Sequence, residues 1–134
     1  MKNLLEEGKK FMSIDAETDG LWGKPFAVAA VVYRVFEGGL VEDDRICLFY
    51  GADIKNEWVK ENVLPTLELE PTNSSYENML EEFAHFYMEH KDATVLWHMG
   101  HVVEAYLFRE LQSLGFIGEW DAPYTPIEVA TMLQ

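Results

Sequence analysis

FMSIDAETDGLWG, residues 11–23, combines a strand pattern with two closely spaced acids and a turn. Side chains alternate along an extended strand, so Asp15 and Glu17 lie on one face together with Ser13. At a rise of about 3.3 Å per residue, the Cβ atoms of the two acids are roughly 7 Å apart. Two divalent ions in a nuclease site lie about 3.5–4 Å apart, so each carboxylate can bind one ion or both can share one. The pair can equally be the solvated end of a strand, and the strand pattern alone leaves both interpretations open.

Three strands are predicted in the first half of the chain. The first covers residues 11–17, and the nearly continuous apolar residues 26–36 predict a second strand that is buried on both faces. A Gly38-Gly39 pair can supply the positive φ angles of a tight turn, which makes residues 45–51 the returning strand of a hairpin. The three strands are therefore expected to pair antiparallel.

Strand and helix alternate in the second half. The strongest helix pattern lies within residues 73–92, where Ser74 or Ser75 can cap the helix and apolar residues recur at helical spacing. Residues 93–99 predict a short buried strand, and residues 101–116 predict a second amphipathic helix. Weaker patterns predict a short helix in 3–9, a short helix in 54–63 and one more element in 124–133.

The order of these elements predicts an α/β fold. Three antiparallel strands come first and parallel strand–helix units follow, which implies a mixed sheet with flanking helices. The first and fourth strands are expected to be parallel neighbours in this sheet. No repeat or linker interrupts residues 1–134, so the chain is interpreted as a single domain.

The charge of the chain limits its partners. Ten basic and twenty-four acidic residues give a net charge of -14. Proteins that bind the backbone of a long duplex place many Lys and Arg residues along one groove, so extended duplex binding is disfavoured. A small phosphate site is compatible with this charge when divalent ions supply the positive charge. The single cysteine, Cys47, and the lack of a recognisable leader or spanning segment predict a cytoplasmic protein with no membrane partner.

The segment after the first strand resembles the first motif of the DEDD superfamily of 3′–5′ exonucleases. In that motif an apolar strand carries Asp-x-Glu-Thr before a Gly-Leu turn. Asp15, Glu17, Thr18, Gly20 and Leu21 match it position by position. The match includes both the strand before the acids and the turn after them, which makes it fairly specific.

A second motif of the superfamily is an Asp on a helix that follows a strand. Residues 95–108, VLWHMGHVVEAYLF, have this layout, with Glu104 in the place of the Asp and Leu107 and Phe108 after it. The resemblance therefore implies a ribonuclease H-like fold. It also implies a metal-dependent 3′–5′ exonuclease, a hydrolase that cleaves phosphodiester bonds at the 3′ end of single-stranded nucleic acid or short oligonucleotides.

The resemblance also implies roles for individual residues. Mg²⁺ or Mn²⁺ would be held by Asp15, Glu17 and Glu104. An acid–base group is needed to move the proton, and His101, at the strand–helix junction near Glu104, is the candidate for a substitute base or a further metal ligand. The opposing interpretation of His101 is a residue at the start of the helix that is bonded to backbone or water. His98 also flanks this strand–helix junction, and a structural role is favoured for it.

Substrate contacts are expected in the loop that follows the two acids. Thr18 and Leu21 belong to the matched motif, and Trp22 directly follows it. A tryptophan beside such a site can stack on a base. It can equally cover the edge of the sheet, and the sequence leaves both possibilities open.

The chain departs from the superfamily pattern in two ways. Glu104 replaces Asp, which moves the carboxylate by about one bond length, whereas Mg²⁺ prefers near-octahedral geometry. The C-terminal helix of the third motif is not recognised, and residues 123–133 resemble only the segment before it. The alternative is therefore a catalytically impaired ribonuclease H-like module that binds protein or nucleotides, with a homodimer or a protein partner completing the site. A small acidic α/β domain without a site is the third interpretation.

Overall fold

The computed structural model describes residues 5–51, 53–67, 70–98 and 102–129. The elements are, in chain order, β1 (Lys10–Thr18), β2 (Pro25–Phe36), β3 (Gly39–Phe49), α1 (Glu57–Asn62), a 3₁₀ turn (Leu64–Thr66), α2 (Tyr76–Glu89), β4 (Thr94–Trp97), α3 (Val103–Ser113) and β5 (Ile127–Glu128). None of the helices in these segments is long and apolar enough to cross a membrane.

The five strands form one mixed sheet in the order β3-β2-β1-β4-β5. The first three strands pair antiparallel, whereas β4 joins β1 and β5 joins β4 in parallel. The predicted α/β class and the predicted parallel pairing of the first and fourth strands are thereby confirmed. β1 lies in the centre of the sheet, and its carboxyl end shares an edge with the carboxyl ends of β4 and β5.

The two long helices cover one face of the sheet. Met12 and Ile14 of β1 point into this covered face and are almost completely buried. They belong to one apolar core together with the buried stripes of α2 and α3. Ser13 and Asp15 alternate with them and are exposed on the opposite face, as the pleat of a strand requires.

The helix boundaries have local causes. Ser75 precedes α2, and its side chain accepts a hydrogen bond from the backbone N–H of Asn78. This contact selects Ser75 over Ser74 as the N-terminal cap. Just after α3, Gly115 adopts a φ of 79°, a left-handed conformation that glycine adopts at little cost.

The predicted hairpin turn is displaced by one residue. The two central residues are Glu37 and Gly38, with φ angles of 51° and 80°, rather than Gly38 and Gly39. Phe36 pairs with Gly39, so the second glycine of the pair already belongs to β3. The returning strand therefore starts well before residue 45, because pairing with β2 extends it up to the turn.

The short helix predicted for residues 3–9 is wrong for its described part. Residues 5–9 form turns. Gly8 has a φ of 84° and donates its N–H to the carbonyl of Val35 at 3.0 Å. Val35 in turn donates to the carbonyl of Lys9 at 2.9 Å. These bonds extend the antiparallel pairing of β1 and β2, and they use backbone groups that a helix would need.

Candidate functional site

The carboxyl ends of three parallel strands meet at one edge of the sheet. Ser13 of β1 lies beside Leu96 of β4, and Leu96 lies beside Ile127 of β5. Ligands of open α/β sheets bind outside the carboxyl ends of the strands, at the point where the strand order changes direction. Acids that end these strands or begin the next helix are therefore brought close to one another.

Asp15 and Glu17 share a face of β1 but have different surroundings. Asp15 is exposed, whereas Glu17 is partly buried. Burial raises the pKa of Glu17 above its ordinary value, and the negative charge of Asp15 raises it further. The two carboxylates therefore repel each other, and a cation bound between them would offset this repulsion.

Glu104 lies in the first turn of α3 and is only 4% exposed. Burial raises the pKa of Glu104 to about 7. The charges of three neighbouring acids contribute to this increase: Asp15, Glu128 and Glu17. A shifted pKa caused by burial and by specific charged neighbours is common at functional sites. The three acids that the sequence proposed as metal ligands thus lie within electrostatic reach of one another.

Glu128 is a fourth acid that the sequence interpretation missed. It is partly buried at the end of β5 and lies beside Trp97, the last residue of β4. Its charge ranks above that of Glu17 among the causes that raise the pKa of Glu104. A strand of two residues contains no alternation from which its buried face could have been read. Glu128 is positioned by the pairing of β5 with β4, and the sequence of residues 124–133 alone does not predict this pairing.

The four acids lie near one another without forming a tight cluster. Within the described segments, one group of three potential ligands has donor atoms that all lie within 4.8 Å of one another, and it lies elsewhere, at Asp44, Glu89 and His90. The carboxyl oxygens at the strand ends are therefore more widely spaced. Mg²⁺ is commonly bound by one or two carboxylates together with water and phosphate oxygens, so a tight cluster of three is not required.

Hydrogen bonds engage two polar residues at the end of β1 and the start of the following loop. The Thr18 hydroxyl donates to the carbonyl of Gly20 at 2.7 Å, so this predicted substrate contact is engaged inside the loop. Asp19 accepts hydrogen bonds from the backbone N–H groups of Lys55 and Asn56. This third acid of the opening segment therefore anchors the chain that precedes α1.

The tip of this loop presents two apolar side chains. Leu21 and Trp22 are 60% and 76% exposed, so both are accessible as the predicted substrate contacts. A cavity of about 510 Å³ borders the loop and is lined in part by Lys24 and Lys55. The Lys24 ammonium lies 5.1 Å from the ring centroid of Tyr76. The loop that follows Asp15 and Glu17 thus presents exposed apolar side chains and borders a cavity that is lined by both lysines and acids.

Of the two histidines at the strand–helix junction, the structure describes only His98. His98 is exposed and lines a groove of about 490 Å³ together with Asp15 and Leu96. It is accessible from the same face of the sheet as Asp15. His101 lies outside the described residues, so its acid–base role stays a prediction.

Gly23 closes the loop in a position that excludes a side chain. A Cβ atom at Gly23 would lie 1.8 Å from the carbonyl oxygen of Asp19. We expect Gly23→Ala to displace the loop and to lower the free energy of unfolding by about 1–3 kcal/mol in urea titrations. At Gly39 the nearest atom would be 3.9 Å from an added Cβ, so Gly39→Ala serves as a control with little loss. Equal losses in the two variants would contradict a tight loop.

Comparison with known proteins gives no relative, because no protein-family model matches the chain and no curated protein is significantly similar to it. The site is therefore judged by its donor groups. Carboxylate oxygens are the ligands that Mg²⁺ and Mn²⁺ prefer. Burial is the main cause of the raised pKa values of Glu17 and Glu104, and the negative charges of neighbouring acids raise them further. A divalent cation would neutralise these charges, so the residues fit such an ion.

Proposed function

We propose that the protein is a metal-dependent phosphodiesterase of the 3′–5′ exonuclease type. The observation that carries this proposal is the convergence of Asp15, Glu17, Glu104 and Glu128 at one sheet edge. The strand order and directions are also compatible with a ribonuclease H-like fold. On this proposal the substrate is the 3′ end of single-stranded nucleic acid or a short oligonucleotide.

Each acid has a distinct part in the proposed site. Asp15 and Glu17 would hold Mg²⁺ or Mn²⁺ from β1, and Glu104 would join them from α3. Such an ion activates water and stabilises the charge that develops on the phosphodiester. Glu104 would bind the ion in its charged form, and ion binding would favour loss of its proton. Glu128 completes the negative surroundings that attract the cation.

The surroundings of the acids suit a short, flexible substrate. Trp22 is exposed, and aromatic side chains of this kind stack on unpaired bases. Lys24 and Lys55 line the cavity beside the loop after β1, together with the acids Asp19, Asp53 and Glu77. The net charge of -14 opposes binding along a long duplex. The proposed site therefore engages one strand end rather than an extended helix of nucleic acid.

A nuclease-like module with little activity is the second candidate function. The wide spacing of the carboxyl oxygens and the presence of Glu104 where the superfamily has Asp favour it. In this case the site would retain weak metal or nucleotide binding, and a second copy or a protein partner would complete it. Cleavage and metal binding therefore have to be measured separately.

Cleavage of a 5′-labelled single-stranded oligonucleotide tests the proposed function. With Mn²⁺ or Mg²⁺, we expect a ladder of products shortened from the 3′ end. Asp15→Asn should reduce the rate by roughly two orders of magnitude, since metal-assisted charge stabilisation contributes several kcal/mol. Asp92→Asn is the control, because Asp92 is an exposed acid paired with Lys10 at the other end of β1.

Cleavage assays and calorimetric titration with Mn²⁺ together separate the two candidate functions. Cleavage by the wild type that Asp15→Asn abolishes supports the exonuclease. Absence of cleavage with either metal would refute it, and Mn²⁺ binding that Asp15→Asn removes would then support the impaired module. Loss of cleavage in Asp92→Asn to the same extent would show that the assay does not report on the strand-end acids.

A further inference from the structure

The end of α2 meets β3 on the covered face of the sheet, where three potential metal ligands converge. The register of β2 and β3 shifts between Val32 and Tyr33, which marks a β-bulge. Asp44 lies opposite Val32, whose side chain is fully buried on the helix side. The Asp44 carboxylate is thereby directed towards Glu89, the last residue of α2, and His90, which caps this helix.

The donor atoms of these residues lie close together. Nε2 of His90 is 2.8 Å from Oδ2 of Asp44. One ligand atom from each of Asp44, Glu89 and His90 lies within 4.8 Å of the others. Ligands of a divalent ion at about 2.0–2.2 Å are themselves roughly 3 Å apart, so small side-chain rotations suffice for coordination.

The imidazole is held in place by its packing. The ring of His90 stacks at an angle on Phe86, with ring centroids 4.9 Å apart, and the side chain is 14% exposed. Glu89 is exposed and leaves one side of the group open to water. This arrangement combines a rigid nitrogen ligand with an adjustable carboxylate.

Charge favours a cation at this position. The C-terminal end of a helix carries partial negative charge from its last carbonyl groups. Two carboxylates add to it, and the combination with a neutral imidazole balances the charge of one divalent ion. From the sequence, His90 has only a favourable position against the helix dipole. The fold adds Asp44, which is 46 residues away along the chain.

We propose that Asp44, Glu89 and His90 form a binding site for a divalent transition-metal ion of the Zn²⁺ type. One imidazole and two carboxylates suit Zn²⁺ or Co²⁺, whereas sites for Mg²⁺ use oxygen ligands. The ion would clamp the end of α2 to β3, and this site is separate from the acids at the carboxyl ends of the strands. Its existence does not depend on the proposed nuclease activity.

Binding requires a proton to move. In the described part of the chain, Nδ1 of His90 is buried and has no hydrogen-bond partner. A neutral ring therefore carries its proton on Nε2 and donates it to Asp44. When the ion takes Nε2, this proton leaves and Nδ1 acquires one from solvent. Because that N–H then lacks an acceptor, we expect weaker binding than at structural zinc sites whose histidines are hydrogen-bonded at the second nitrogen.

Thermal unfolding and calorimetry of the whole chain with Zn²⁺ test this site. We expect one ion per chain, and a rise in Tm of about 5–10 °C once the ion is at roughly one hundred times its Kd. His90→Gln should abolish both effects. Glu89→Gln changes an exposed residue and should weaken binding without impairing folding, which keeps the test informative if His90→Gln does not fold. Because Mg²⁺ is also proposed to bind Asp15, the Mg²⁺ control uses Asp15→Asn, in which Mg²⁺ at the same concentration should produce neither effect.

Three control variants distinguish this site from other zinc ligands. His85→Gln alters an exposed histidine on the same helix that lies 3.9 Å from Glu81, and Cys47→Ser removes the exposed thiol. Asp15→Asn removes a proposed nuclease ligand. All three should keep the Zn²⁺ effects of the wild type. Absence of Zn²⁺ binding in the wild type, binding that survives both His90→Gln and Glu89→Gln, or binding lost in a control variant would overturn the proposal.

Discussion

Replacing Phe83 with alanine is expected to lower the free energy of unfolding by about 3–5 kcal/mol. Phe83 lies in α2, is completely buried and belongs to the main core. Its ring packs edge-on against Phe108 of α3, with centroids 6.0 Å apart. Truncation would remove this ring contact between the two helices and leave a cavity over the sheet. Domains of this size have total stabilities of about 5–15 kcal/mol, so this loss is a large fraction of the whole.

Urea denaturation followed by circular dichroism measures this loss. Phe36→Ala is the matched control, since Phe36 ends β2 and is 45% exposed. We expect that variant to lose less than about 1 kcal/mol, because surface substitutions have small effects. Losses of similar size at the two positions would contradict the packing described for α2.

Several elements of the fold could be predicted because their signals are local. The apolar spacing in α2 is that of a helix with one buried side, and Ser75 provides a cap within the same few residues. The alternation in β1 likewise separates Met12 and Ile14 from Ser13 and Asp15. Such patterns follow from the geometry of a single element, so they can be read before any partner is known.

The errors concern features that depend on distant partners. Glu37 takes the positive φ angle because strand pairing places Phe36 opposite Gly39, and a glycine pair alone does not define that register. Residues 5–9 resemble a helix in composition, yet hydrogen bonds to Val35 draw them towards β2. In each case the tertiary pairing determined the outcome.

The same distinction applies to the candidate site. The alternation of side chains along one strand predicts that Asp15 and Glu17 lie on the same face. Glu104 is predicted as a ligand by the resemblance to the second motif of the superfamily, and the fold brings it within electrostatic reach of the other two acids. Glu128 could not be found in this way, because its proximity arises from the pairing of β4 with β5.

Replacing Glu104 with glutamine is expected to stabilise the ion-free protein at high pH. The pKa of Glu104 is about 7 in the folded protein, above its ordinary value of 4.5. Below pH 4.5 the carboxyl group is protonated in both the folded and the unfolded chain, so it does not change the free energy of unfolding. Between these pKa values the unfolded chain has released the proton while the folded chain retains it, so stability falls as the pH rises.

The size of this effect follows from the shift. A pKa difference of one unit corresponds to about 1.4 kcal/mol, and the loss is complete above pH 7. Glutamine keeps the shape of the side chain and removes the charge. The pKa of about 7 already includes the favourable interaction of the charged carboxylate with the backbone at the start of α3. We therefore expect Glu104→Gln to be more stable than the wild type by about 3 kcal/mol at pH 8, and by little at pH 4.5.

Denaturant titrations in a chelating buffer across this pH range measure the difference. Glu81→Gln, at an exposed position in α2, is the control and should show no comparable gain at pH 8. A constant difference between wild type and Glu104→Gln at all pH values would contradict the buried, charge-coupled setting of Glu104. Added Mn²⁺ should reduce the gap at pH 8, because an ion held by the charged Glu104 stabilises the wild type more than the variant. The same variant therefore tests two statements: that the charged form of Glu104 destabilises the ion-free protein, and that a bound cation offsets this loss.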